Sequence, residues 1–120
     1  MSLVLVALGG SLGAISRFLL SAPLNAISTH FFPGTFLVNF LGCFLLGFFW
    51  ESLPSEREFH FFATGFLGAL TTMSTFAGEN IRLLDAGKFF SAGGYLVGTV
   101  FVCLLGIFLG RMLGTRVFAY

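Results

Sequence analysis

Before Glu51 the chain has no acidic residue at all, and only 9% of its 120 residues carry charge. A soluble domain carries about a quarter, so there is too little polar surface here to face water. Neither sign of charge dominates. Six basic residues against five acidic ones leave a net +1 with no Lys/Arg cluster or stripe, which excludes a nucleic-acid interface and a polybasic lipid site. Cysteine is confined to Cys43 and Cys103, each inside an apolar run and without a second Cys or His at zinc-ligand spacing. They read as membrane-embedded thiols. His30 and His60 stand alone at loop edges, and no Ser/His/Asp or metal-ligand set accompanies them, which argues against an enzyme. No basic segment precedes the first apolar run, and no small-residue cleavage site closes it near Arg17 and Leu20. The run is therefore expected to stay as a span and not to leave as a signal peptide.

What is abundant is apolar: 57% of residues are hydrophobic and 18% aromatic, with a mean hydropathy of +0.98. A bilayer core of about 30 Å takes about 20 helical residues to cross. Four such runs fit, at residues 3–20, 34–50, 59–82 and 89–113, so the sequence predicts an all-α integral membrane protein with one four-helix membrane domain over residues 1–120. Gly9, Gly10, Ser11 and Gly13 in the first run, and Gly93, Gly94, Gly98, Gly106 and Gly110 in the fourth, permit close approach of helix backbones. Pro23 is expected to close the first helix, Pro33 precedes the second, and Trp50 and Glu51 mark a membrane interface. The third run differs from the others. Across residues 65–79, glycines weaken the helix while Thr71, Thr72, Ser74 and Thr75 compete for backbone hydrogen bonds, so a helix broken in mid-membrane is predicted there.

With four spans, one side of the membrane holds Arg57, Arg111 and Arg116, and the other Arg17, Arg82 and Lys88. Orientation normally follows an excess of Lys and Arg on the cytoplasmic side. Here the sides tie, which predicts insertion in both directions and allows an antiparallel homodimer with a twofold axis in the membrane plane; the alternative is that one or two of these residues, such as Arg17, sit deeper in the membrane than the count assumes.

Several polar residues fall within the apolar runs. Arg17 is either a snorkelling end residue or part of an electropositive vestibule for anions. Asn39, in the middle of the second run, offers amide donors to helix packing or to a permeating anion. Tyr95, Thr99 and Cys103 recur every four residues and form one polar stripe on the fourth helix, suited to interhelical bonding or to lining a pore. A break in the third helix frees carbonyls able to hold a small cation, beside the hydroxyls of Ser74 and Thr75 and the weakly positive ring edge of Phe76. Taken alone, Phe76 reads as a core or lipid-facing ring. A proton-coupled multidrug exporter would need a carboxylate inside the membrane, whereas the acids of this chain are expected at helix ends and loops. A non-transporting packing subunit would differ from a channel only in flux.

Three stretches carry a resemblance. They are Gly9-Gly10 through Gly13-Ala14 to Arg17, Gly34-Thr35 through Val38-Asn39 to Leu41-Gly42, and the long motif over residues 65–79. In order and spacing they resemble the Fluc (CrcB) family of bacterial fluoride channels, and with the four-helix length they span essentially the whole chain. The resemblance implies a multi-pass protein of the bacterial plasma membrane, built as a dual-topology homodimer. Its two antiparallel pores would pass fluoride passively out of the cytoplasm and reject chloride. It also implies a structural sodium ion on the dimer axis, held by the backbone carbonyls of Gly68 and Thr71. The fluoride path would run along Asn39, Met73, Ser74, Thr75, Phe76, Tyr95, Thr99 and Cys103, with Arg17 and Glu79 as charged vestibule residues at its mouth, Glu79 being the acid that ends the motif.

Two positions depart from the family pattern. Met73 stands where a phenylalanine three residues before Phe76 is usual, keeping the volume and losing the aromatic edge. Cys103 stands where a hydroxyl or amide is usual. Fluoride is small and strongly hydrated, so a pore for it has to replace water with closely spaced donors and with contacts weak enough to let it leave. Asn39, Ser74, Thr75, Tyr95 and Phe76 meet that need.

Overall fold

The computed structural model describes residues 1–53 and 55–119. Among them the chain forms helices and no strand: α1 (Ser2–Asn25), α2 (Pro33–Phe49), α3 (Glu56–Glu58), a π-helical stretch (Phe59–Leu67), α4 (Gly68–Leu70), α5 (Met73–Asp85) and α6 (Phe89–Val117). α1 and α6 are each long and apolar enough to cross a bilayer, and α2 is apolar but shorter at 17 residues. Only 11% and 17% of the most apolar windows of α1 and α6 are buried within the chain. A soluble core helix would hide that surface, whereas here Leu3, Phe18, Phe90, Phe101 and Phe108 all point outward. Polar side chains go inward: Thr35, Asn39, Thr72, Glu79, Asn80 and Thr99 are all buried.

Helix ends follow local chemistry in some places and tertiary contact in others. Ser55 Oγ accepts from the Glu58 N–H at 3.3 Å and caps α3, while Thr72 Oγ1 accepts from the Thr75 N–H at 3.3 Å and caps α5. α5 ends on Gly87 at φ +72°, with the Gly87 N–H bonded to the Leu84 carbonyl and the Lys88 N–H to the Leu83 carbonyl. That pair of bonds is a Schellman cap. Pro23 does not close α1, which runs on to Asn25. The reason lies in Asn25, whose Oδ1 accepts from the amides of Gly34 at 2.7 Å and Thr35 at 3.1 Å. The last turn of α1 is thus held by the start of α2, and these contacts outweigh the one ladder bond that proline removes.

Glycine fixes the packing. A Cβ at Gly9 or Gly13 of α1 would lie 2.0 Å from the Phe61 carbonyl oxygen or 2.1 Å from that of Phe66, so α1 and the π-helical stretch touch backbone to backbone. A Cβ at Gly47 would lie 2.3 Å from the Ile107 carbonyl oxygen, and one at Gly110 would lie 2.1 Å from that of Phe44, which brings α2 and α6 equally close. Both contact series rise together along the two partners, so α2 and α6 run parallel, as do α1 and the π-helical stretch. The π-helical stretch was not anticipated. It is a weakly stable geometry that depends on its neighbour, here the glycine face of α1.

Candidate functional site

The predicted break falls at Thr71 and Thr72, both extended, with φ/ψ of −81°/153° and −148°/119°. In hydrocarbon an interruption of this kind leaves peptide groups that need partners. Asn39 of α2 supplies them: its Oδ1 accepts from the Thr72 N–H at 2.7 Å, and its Nδ2 donates to the Thr72 carbonyl at 3.2 Å. One amide side chain therefore satisfies both backbone groups of Thr72, and one Nδ2 hydrogen is left over.

The same bonds release two carbonyls. In an unbroken helix the Thr72 N–H would bond the Gly68 carbonyl and the Thr75 N–H would bond that of Thr71, but they go to Asn39 and to the Thr72 hydroxyl. Gly68 is exposed on the chain's own surface and Thr71 half-buried. Carbonyl oxygens freed in this way suit a hard cation such as sodium.

Beside the break lies a cavity of about 320 Å³, lined by Asn39, Cys43, Thr71, Thr72, Met73, Phe76, Thr99, Val100, Cys103, Leu104 and Ile107. Thr99 Oγ1 is buried without a hydrogen-bond partner among the described residues. On the other side of Phe76 is a polar cluster centred on Glu79, which is 5% exposed. Its Oε1 accepts from Thr35 Oγ1 at 2.7 Å and from Asn25 Nδ2 at 3.4 Å, and its Oε2 accepts from the Tyr95 hydroxyl at 2.7 Å. The Tyr95 ring meets that of Phe76 edge-on at 5.1 Å, connecting the cluster to the cavity wall.

A family model described as CrcB-like protein, Camphor Resistance (CrcB), matches residues 4–111. The chain belongs to the CrcB family. Among curated CrcB relatives, a protein of Campylobacter lari named fluoride-specific ion channel FluC is 42% identical over 118 residues, covering 93% of this chain and 96% of that one. Proteins of the same name from Pasteurella multocida and a Sulfurovum species are each 39% identical, with coverage of 91% and 97% of this chain and 92% and 95% of theirs.

In this CrcB chain the cavity gathers Asn39, Thr71, Met73, Phe76, Thr99 and Cys103 from the expected residues. Ser74 and Thr75 lie outside it and are exposed on the free chain, as is most of Met73. Tyr95 and Arg17 do not reach the cavity, and Arg17 is half-buried along α1. Glu79 corrects an expectation: it is no mouth residue at a helix end but a buried acid bound by three helices. Sequence reasoning missed Asn25, Thr35 and Cys43. A signal existed for two of them, because Thr35, Asn39 and Cys43 repeat every four residues on α2, as Tyr95, Thr99 and Cys103 do on α6. The two stripes face each other in register. Asn25 left no comparable mark.

Proposed function

We propose that this CrcB chain is a passive fluoride-selective channel of the bacterial plasma membrane, working as an antiparallel homodimer of four-span subunits with two pores. The observation that carries the proposal is the cavity beside the break, where the unpartnered Thr99 hydroxyl and the spare Asn39 N–H stand with the Phe76 ring. Such donors replace water around a small anion, and their low number keeps it from stalling. The relatives named fluoride-specific ion channels support the choice of ion. Exposed Ser74 and Thr75, and Met73 at 73% exposure, support a second copy completing the path. The tied Lys/Arg count supports its inverted orientation. On this reading the Gly68 and Thr71 carbonyls of both copies would hold a sodium ion, which supplies positive charge at the axis and ties the subunits together.

One observation favours a second reading. A buried carboxylate such as Glu79 is what a proton-coupled exporter requires. Its two oxygens, however, are already engaged by Thr35, Asn25 and Tyr95, so it acts as a structural strut. Efflux from liposomes tests both readings. Fluoride is expected to leave downhill without a pH gradient and chloride to be retained, with Met73→Phe faster than the native chain. Equal efflux of the two anions, or none from either version, refutes the channel.

A further inference from the structure

Three sulfur-bearing side chains meet at one cavity. Met73 and Cys103 line it, and Cys43 lines it with them. Helix register explains the meeting. Gly47 of α2 presses on Ile107 of α6 at backbone contact, and Cys43 and Cys103 lie one turn earlier on each of these parallel helices. Their side chains therefore enter the same cavity from neighbouring helices, and both residues are half-buried. Asn39, Thr71, Thr72 and Thr99 contribute only neutral oxygen and nitrogen, and among the described residues no His, Asp or Glu lines the cavity. A hard or tetrahedral metal such as zinc therefore lacks ligands, while a soft ion content with two thiolates is well served.

We propose that Cys43 and Cys103 form a binding site for a soft, low-coordinate metal ion of the silver(I) and copper(I) class, with the Met73 thioether as a weaker third donor, and that the bound ion closes the cavity. On binding, the two S–H bonds break and two sulfur–metal bonds form. Both protons pass to water and the metal keeps its oxidation state. The site itself stands apart from the function proposed above, and only its effect on flux rests on that reading.

Silver(I) in chloride-free nitrate buffer is the probe, with the purified full-length chain in detergent. One silver ion per chain is expected to survive a monothiol competitor, with both cysteines then protected from maleimide. Held by two tethered thiolates, it should need roughly a hundredfold more competitor for release than in Cys43→Ser or Cys103→Ser. Cys103→Ser exchanges a single sulfur for oxygen at nearly the same shape, so this variant also controls for folding. Two silver ions bound independently per chain, or single-cysteine variants as resistant to competitor as the native chain, would overturn the site. In liposomes, silver should block fluoride efflux from the native chain and spare Cys103→Ser. Native efflux that persists with silver bound overturns the closure. Silver bound as expected by a chain with no fluoride flux of any kind would refute the channel and leave the metal site standing.

Discussion

Replacing Thr99 by valine separates a functional hydroxyl from a structural one. The two side chains have nearly the same shape, and Thr99 is 4% exposed with no hydrogen-bond partner for Oγ1. A buried hydroxyl left unpaired costs about 1–3 kcal/mol, so Thr99→Val should fold at least as stably as the native chain. It loses one donor to the passing anion. A hydrogen bond to a charged group is worth about 1.5–3 kcal/mol, and each 1.36 kcal/mol is about tenfold in rate. Fluoride efflux should therefore fall about 10- to 100-fold. Thermal unfolding in detergent and ion-electrode recording of liposome efflux, on the same preparation, give the two numbers. A variant that unfolds more easily and conducts normally would show that the hydroxyl serves packing, and the argument for a donor-lined path would fail.

Asn39→Ala strips the Thr72 backbone N–H and carbonyl of their partners in a place 7% exposed, and should cost at least about 2 kcal/mol of stability in the same unfolding assay. Unchanged stability would mean that the break does not depend on α2. Tyr95→Phe keeps the edge-on packing against Phe76 and removes the 2.7 Å bond to Glu79, a loss of about 1.5–3 kcal/mol in chemical denaturation. Gly110→Val would put a Cβ 2.1 Å from the Phe44 carbonyl oxygen, so α2 and α6 must part, at about 1–3 kcal/mol, with distorted efflux to match.

How far the sequence could be read depended on the range of each interaction. The α6 stripe follows from a repeat of four within one helix, and the break follows from hydroxyls and glycines crowded into one short segment. Neither needs knowledge of a neighbour. The extension of α1 past Pro23, the π-helical stretch and the burial of Glu79 all depend on contacts between distant segments. Glu79 is the plainest case: its partners lie 54, 44 and 16 residues away, on three other helices. No local pattern reveals that an acid near the end of a motif will meet three donors. The exposure of Ser74 and Thr75 has a similar origin, since surface left open on one chain is defined by what covers it.

The bonds between Asn39 and Thr72 make the azimuth of α2 part of the path. The backbone donor and acceptor belong to the same residue, so rotating α2 by even a fraction of a turn would strand both at once and close off every intermediate pose. The interruption and the helix that repairs it can only move as a unit, and a change in either during evolution has to be matched by a change in the other.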